Sequence, residues 1–430
     1  MPRLLVIALN QAATVLFGIL GIRLVSYVVE ERVFGAYGLY LTLTQIGFLL
    51  THSGLINHAS RYWQREQPNV HSYLRFLLQA TWRKTLPLIA LLLVVSVGMA
   101  VWQKSLVWIE LLPLLLVSNL GIALSYLATL VLNAGERHGT LLVVNASASA
   151  ARAVLPVGVA LVFGATLFAL SSGFALHAVA VVIFVLALFR RWGLSAAIEP
   201  ALNTRWMQEL RDFGRPFVWM GAGGWLLQYA DRWTVAFYFG NHQAGVFNLA
   251  SNIASMVPAL VCGALMQRVF PAVFRAADHA QTEEDWRALA RRCDRATLLF
   301  LLLTVAGLIA LHFVGPYLVG WLVSARYAPC MPILLPAGMG AVAMQTNQFQ
   351  YLLLQGQHDS SGMVRVMLIL AGIRTVGTIL AAAVSWPVLL GWLLVSSLIV
   401  AGLGRFLIQR TVLSNCRNPG ANALVTSVRG

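Results

Sequence analysis

The sequence predicts an all-α polytopic membrane protein with about twelve transmembrane helices in two six-helix lobes. Of its 430 residues, 59% are hydrophobic and only 10% are charged, whereas a soluble domain is usually about a quarter charged. Apolar stretches long enough to cross a bilayer recur along the chain, and a spanning segment must satisfy its own backbone hydrogen bonds as a helix. Segments of the first half also recur in the second half.

Charges, glycines and prolines divide the chain into twelve apolar segments. The first is too long for a signal-peptide core and has no A-x-A-type cleavage site, so we expect a retained helix. The segments are 4–29, 34–59, 85–102, 107–132, 140–163, 166–189, 216–240, 243–267, 296–318, 329–355, 363–384 and 387–408. We predict an N-terminal lobe at 1–195, a cytoplasmic linker at 196–215 and a C-terminal lobe at 216–430.

The basic residues predict the orientation of these segments. With both termini in the cytoplasm, 23 Lys and Arg residues lie in cytoplasmic segments, and only Arg32, Lys104 and Arg326 lie on the opposite side. This distribution follows the positive-inside rule, so most of the formal net charge of +15 indicates topology and not nucleic-acid binding. Residues 282–295 begin with a capping-box pattern and are predicted to form a basic amphipathic helix on the inner surface.

Two sequence matches indicate an internal repeat. "VFGAYGLYLTLTQI" (33–46) matches "QAGVFNLASNIASM" (243–256) at an offset of 210, which places Gly35 on Gly245. "NAGERHG" (133–139) and "LQGQHDS" (354–360) each close an even-numbered helix. We therefore predict a parallel repeat of six helices, an architecture in which transporters bind substrate between the halves.

Four basic residues remain inside the predicted helices: Arg23, Arg152, Arg232 and Arg374. Each costs at least about 2.5 kcal/mol at a helix centre and normally faces a bundle interior or a wet cavity. The repeat places Arg23 one position from Arg232, and Arg152 and Arg374 lie at similar distances after their repeated glycines. We predict two equivalent pairs facing a cationic cavity. Snorkelling of Arg23 and bonds from Arg152 or Arg374 to backbone carbonyls remain alternatives.

Asp231 is the only clear acid inside the predicted helices. It can form an ion pair with Arg232. Because adjacent helical residues point about 100° apart, it can instead form an ion pair with a different arginine while Arg232 faces the cavity. Asn248 and Asn252 lie four residues apart and extend the predicted polar lining. Such a cavity suits a diphosphate, a phosphate or an acidic sugar. No spacing of Cys or His predicts a metal site, and no cofactor is expected.

Three segments carry a family resemblance: "RLVSYVVEERVFGAYGLYLTLTQI" (23–46), "LNAGERHG" (132–139) and "ADRWTVAFYFGNHQAGVFNLASNI" (230–253). They resemble Wzx-type O-antigen and polysaccharide flippases of the multidrug/oligosaccharidyl-lipid/polysaccharide exporter (MOP) superfamily. The resemblance implies a V-shaped fold like that of MATE transporters around a central cationic cavity. It departs from lipid II flippases, which usually have two extra helices, and from drug exporters that have an acid in helix 1.

The resemblance also implies a function. The protein would move an undecaprenyl-diphosphate-linked oligosaccharide across the bacterial inner membrane by alternating access, without enzymatic activity. Its arginines would engage the diphosphate or acidic sugars. Membrane lipids and the polysaccharide polymerase and chain-length machinery are the expected partners. The alternative is a cation-coupled small-molecule exporter that uses Asp231 as its coupling site. A membrane glycosyltransferase would need catalytic acids or a sizeable outer loop, and neither is present in the sequence.

Overall fold

The computed structural model describes residues 3–63, 65–135, 137–191, 198–277, 279–357 and 359–417. Regular structure within these ranges is helical, as predicted. The chain forms two compact units. Unit 1 comprises Met1–Ala222, Phe239–Gly245 and Leu322–Tyr327, and unit 2 comprises Gly223–Tyr238, Val246–Trp321 and Ala328–Gly430. Neither unit is one continuous stretch of chain, and the predicted lobe boundaries stay a prediction.

Unit 1 is formed mainly by the first half of the chain. Its helices are α1 (Arg3–Val28), α2 (Glu31–Thr51), α3 (Ser53–Tyr62), α4 (Val70–Arg83), α5 (Thr85–Gln103), α6 (Val107–Glu110), α7 (Leu112–Ala134), α8 (His138–Phe163), α9 (Leu167–Arg191) and the start of α10 (Pro200–Ala254). The described part of the predicted linker is therefore helical from Pro200 onwards.

Unit 2 is formed by the middle of α10 and by the helices that follow it. These are α11 (Met256–Ala277), α12 (Glu283–Leu322), α13 (Leu334–Thr346), α14 (Gln348–Gly356), α15 (Ser360–Val384) and α16 (Trp386–Arg417). The predicted start of α12 is observed: the Thr282 backbone N–H donates to Asp285 Oδ2 at 2.9 Å, and the Asp285 N–H donates to Thr282 Oγ1 at 3.2 Å.

The membrane-spanning helices agree with the prediction. Among the described residues, ten helical stretches are long and apolar enough to cross a membrane, and Ala12–Val28 is a shorter apolar helix. One of the ten, Pro200–Ala277, is interrupted at Gly240, whose φ of 79° lies in the left-handed region that glycine favours. Counting Ala12–Val28 and both sides of Gly240 gives the predicted twelve spans. The chain is an all-α polytopic membrane protein.

Each unit repeats the same helix packing. In unit 1, α1 packs on α8, while α7 and α8 both pack on α9. In unit 2, α13 and α15 both pack on α16, and α10 meets α15 where a Cβ on Gly223 would lie 2.8 Å from Met367 Cγ. The pairs in unit 2 are those of unit 1 displaced by six spans, which agrees with the predicted repeat.

The matched glycines of the repeat contact each other within unit 1. A Cβ on Gly35 would overlap the Asn241 carbonyl oxygen and lie 2.9 Å from the Gly245 nitrogen, and a Cβ on Gly245 would overlap the Glu31 carbonyl oxygen. Asn241 is the counterpart of Glu31 at the offset of 210, just as Gly245 is the counterpart of Gly35. The contact is therefore reciprocal, as in a two-fold interface, and only residues without a side chain fit it.

Candidate functional site: an aromatic–arginine face and a buried ion pair

Helix α10 presents one mixed aromatic and cationic face in unit 2. Trp225, Tyr229, Arg232 and Trp233 follow helical spacing, so they share one side of the helix, and all four are half-buried. The Trp225 ring centroid lies 6.2 Å from that of Tyr229 and 6.0 Å from that of Trp233. The Arg232 guanidinium lies 5.4 Å from the Tyr229 centroid. We call these four residues, together with Asn252, the aromatic–arginine face.

Asn252 fixes the position of the arginine. Arg232 Nη2 donates to Asn252 Oδ1 at 3.0 Å, so two predicted site residues are in direct contact. Among the described residues, Arg232 forms no ion pair with a carboxylate within 4.0 Å, and its remaining N–H groups can donate to a ligand. Guanidinium binds phosphate and carboxylate oxygens well, and tyrosine and tryptophan offer a flat apolar ring with one polar tip. This face can hold an anion beside a sugar ring.

Asp231 does not neutralise its neighbour Arg232. Instead it forms an ion pair with Arg374 of α15, in which Arg374 Nη2 lies 3.1 Å from Asp231 Oδ2. Arg374 Nη1 also donates to the Leu227 carbonyl oxygen, one of the alternatives considered for this arginine. Asp231 is 6% exposed and Arg374 is 2% exposed. The sequence neighbours Asp231 and Arg232 therefore face different partners. Asp231 faces into the unit, and Arg232 faces Asn252.

A glycine of α13 covers this buried ion pair. A Cβ on Gly340 would lie 3.0 Å from Arg374 Nη2 and 3.2 Å from Asp231 Oδ2, a separation tighter than ordinary van der Waals contact. Because Gly340 has no side chain, α13 can approach the pair closely and exclude water from it. The lower local dielectric strengthens the attraction between the two charges and raises the cost of separating them.

The predicted equivalence of Arg152 and Arg374 is wrong. Arg152 is exposed, with its guanidinium 5.8 Å from the Phe174 ring, whereas Arg374 is buried. When Gly135 is aligned with Gly356, Arg374 aligns with Ala153 and not with Arg152. The two arginines are therefore one residue out of register in the repeat. One residue rotates a side chain by about 100° around the helix axis, and this rotation separates an exposed arginine from a buried one.

The unit 1 counterpart of the ion pair is a close apolar contact. At the offset of 210, Asp231 corresponds to Gly21, and a Cβ on Gly21 would lie 3.3 Å from Ala153 Cβ. The same two helix positions therefore meet in both units. In unit 1 they meet through small residues, and in unit 2 they meet through opposite charges. The repeat conserves the backbone approach and not the side-chain chemistry.

The comparisons with known proteins support one family. A family model described as "Polysaccharide biosynthesis protein" matches residues 3–277, which is more than half of the chain. The chain belongs to the polysaccharide biosynthesis protein family. No curated protein matches the sequence significantly.

Solved structures share the fold of this polysaccharide biosynthesis protein. An inward-facing MATE family multidrug resistance transporter of the MOP superfamily has 12% identity and a TM-score of 0.68, with 98% of this chain and 100% of that chain covered. The lipid II flippase MurJ, in an inward closed conformation, has 11% identity and a TM-score of 0.67, with 98% and 91% covered. The predicted family and fold are confirmed, and both relatives are named as transporters or flippases and not as enzymes.

The other predicted site residues of this polysaccharide biosynthesis protein differ in exposure. Arg23 is half-buried, and its guanidinium lies 5.8 Å from the ring of Tyr27 one turn further along α1, which is the direction expected for snorkelling. Asn248 is fully buried, so it does not line an exposed surface in this conformation. The substrate-binding roles of Arg23, Arg152, Arg232, Arg374, Asn248 and Asn252, and the ion-coupling role of Asp231, stay predictions.

The sequence contained a signal for three aromatic residues that were not predicted as site residues. "WLLQYADRW" (225–233) places an aromatic residue at every fourth position and ends beside Arg232. In an apolar helix, aromatic residues at this spacing usually pack against a neighbouring helix, so the pattern alone did not identify a site. Its meaning depends on Arg232 lying on the same face, which the structure of unit 2 supplies.

Proposed function

We propose that this protein is a flippase that moves an undecaprenyl-diphosphate-linked oligosaccharide from the inner to the outer leaflet of the bacterial inner membrane. The carrying observation is the aromatic–arginine face, where Arg232 lies beside aromatic rings within an apolar helix and forms no ion pair among the described residues. Arg232 would hold the diphosphate. In unit 1, the exposed Arg152 stays a separately predicted substrate contact. Trp225, Tyr229 and Trp233 would lie against the apolar face of a sugar ring.

The substrate chemistry fits both parts of this face. A diphosphate brings several anionic oxygens into an apolar surrounding, where burying a charge without a partner is very costly. Guanidinium groups held at the translocation path reduce that cost through charge-assisted hydrogen bonds. The family description and the fold favour a lipid-linked glycan, and one structural relative is itself named as a lipid II flippase. Alternating access would then expose the bound diphosphate to one leaflet at a time.

The same proposal implies how the protein is oriented in the membrane and which partners it has. The positive-inside distribution of basic residues supports cytoplasmic termini. A flipped glycan would be handed to polysaccharide polymerase and chain-length machinery at the outer leaflet. Bilayer lipids would be permanent neighbours of both units.

The second candidate is a cation-coupled exporter with Asp231 as its coupling site, favoured by the likeness to MATE transporters and by the position of this buried acid within a predicted membrane span. In this conformation the carboxylate is bound to Arg374. A proton or metal cation would therefore have to displace an arginine, which makes coupling through Asp231 the weaker proposal.

Surface polysaccharide provides the test. In cells that lack the chromosomal copy of this gene, we expect Arg152→Gln and Arg232→Gln each to lower surface polysaccharide, by about tenfold if each removes one charge-assisted contact. The control is Arg326→Gln, an exposed arginine predicted on the outer side. Membrane-inserted protein is quantified for each variant. Normal polysaccharide in the Arg152→Gln/Arg232→Gln double variant, at normal protein level, would contradict the proposal. Normal polysaccharide in cells that lack every copy of this gene would favour the exporter.

A further inference from the structure

A polar cavity lies within unit 2, apart from the aromatic–arginine face. It is a cleft of about 200 Å³ between the first turns of α12 and the last turns of α16. Its polar lining is formed by Arg287, Arg291, Asp294, Arg405 and Gln409, and Trp286 forms one wall. The Trp286 ring is itself fixed, because it is 7% exposed and would lie 3.3 Å from a Cβ on Gly356. The cleft is thus held between three packed helices.

The only carboxylate of the lining is already saturated with hydrogen bonds. Asp294 accepts from Arg405 Nε and Nη2 at 2.8 Å each, from Gln409 Nε2 at 2.9 Å and from Gln350 Nε2 at 3.0 Å. These bonds hold the Arg405 guanidinium in a fork and occupy the carboxylate oxygens of the cleft. What the lining still offers is N–H donors, since each guanidinium carries five.

The charges of the cleft favour an anion. Three arginines and one aspartate line it. Arg287 Nη2 is bound to Glu283 outside the lining at 2.6 Å, whereas Arg291 has no ion pair among the described residues. A net positive, donor-rich cleft whose carboxylate is occupied suits a ligand with several anionic oxygens, such as a phosphate group.

The surroundings of the cleft indicate where the phosphate comes from. On α12, the exposed apolar residues Leu298, Leu299 and Leu302 begin one turn after Asp294, and they are 58%, 45% and 60% exposed. On α16, Phe406 is 58% exposed and directly follows Arg405. The cleft therefore lies where the apolar surfaces of both helices give way to arginines. This is the depth at which phospholipid headgroups lie, with acyl chains alongside the apolar residues.

We propose that this cleft binds the phosphate headgroup of an anionic membrane phospholipid such as phosphatidylglycerol. The headgroup phosphate would accept from Arg291 and from the open N–H groups of Arg287 and Arg405. Its acyl chains would follow the exposed leucines of α12. The bound lipid would fasten the amphipathic start of α12 to the membrane surface, independently of which substrate the protein transports.

The test is lipid binding to the purified, delipidated full chain in detergent, followed by native mass spectrometry. We expect phosphatidylglycerol to bind more tightly than phosphatidylcholine, and Arg291→Gln to weaken that binding by about fivefold. The matched control is Arg292→Gln, which removes the same charge from the same exposed turn of α12 without touching the cleft, and it should leave the affinity unchanged.

Three outcomes would overturn the proposal. Equal weakening by Arg291→Gln and Arg292→Gln would mean that binding reflects general surface charge. Equal binding of phosphatidylglycerol and phosphatidylcholine would remove the anionic selectivity. Displacement of the lipid by an equimolar amount of inorganic phosphate would assign the cleft to a soluble anion. None of these results depends on transport, so they leave the proposed function untouched.

Discussion

Removing one partner of the Asp231–Arg374 pair should destabilise the protein strongly, and removing both should not. The two charges lie 3.1 Å apart and are sealed under Gly340. Breaking a buried ion pair by deleting one partner costs about 3–5 kcal/mol, because the other charge is left buried and uncompensated. Replacement of both partners by apolar residues of similar volume is often close to neutral. We therefore expect Asp231→Leu and Arg374→Met to be poorly folded singly and well folded together.

Thermal unfolding of the detergent-purified variants provides the assay, with size-exclusion elution after heating as the readout. The matched control is Arg417→Gln, which removes an ion pair of the same 3.1 Å length to Glu283, with the arginine 66% exposed. An exposed pair contributes about 0–1 kcal/mol, so this variant should unfold like the wild type. Wild-type stability of Arg374→Met, or a double variant as unstable as the single ones, would refute the reasoning.

The same double variant separates structure from transport. If the pair only holds α10 against α15, a well-folded Asp231→Leu/Arg374→Met protein should restore surface polysaccharide. If Asp231 couples transport to a cation, the double variant should be stable and inactive, because no carboxylate remains to titrate. The second result would favour cation-coupled transport through Asp231.

Three further predictions follow from close contacts and from the aromatic–arginine face. Gly35→Val and Gly245→Val should each impair transport, because the new side chains would overlap backbone oxygens. Surface polysaccharide is the assay. The control is Gly391→Val, which should have no effect because Gly391 has open space around it. Trp225→Ala should lower transport at normal protein level and Trp225→Phe should largely restore it, since a ring surface is what the face supplies; equal loss in both would point to a packing role. Gly340→Ala should lower the unfolding temperature, because overpacking a close contact costs about 1–3 kcal/mol. An unchanged unfolding temperature would mean that α13 shifts away from the ion pair without loss of stability.

Hydropathy and charge were sufficient to predict the fold from the sequence. The predicted apolar segments correspond to helices because a bilayer imposes length and apolarity on each of them. Four predicted spans are nevertheless broken, and tertiary contacts explain two of the positions. Helix α2 ends at Thr51, where His52 Nε2 donates to the Thr81 carbonyl oxygen of α4 at 3.4 Å. Helix α13 ends at Thr346, where Asn347 Nδ2 donates to the Val400 carbonyl of α16 at 3.0 Å. Such partners are distant in sequence.

The candidate site was only partly predictable. Helical geometry allowed Asp231 and Arg232 to face different neighbours, and they do. The identity of the partner, Arg374, depends on how α15 is rotated against α10, and a one-residue uncertainty in the repeat register is enough to exchange an exposed arginine for a buried one. The aromatic residues acquire meaning only after Arg232 is placed beside them in unit 2.

The central claim is that Arg232 holds the diphosphate of a lipid-linked oligosaccharide during translocation. The most direct measurement is transbilayer movement of a fluorescent undecaprenyl-diphosphate-linked oligosaccharide in liposomes that contain the purified protein. Wild-type protein should move this lipid and leave phosphatidylcholine in place, whereas the Arg232→Gln variant should move neither. Movement of the oligosaccharide lipid by the Arg232→Gln variant at the wild-type rate would contradict the account.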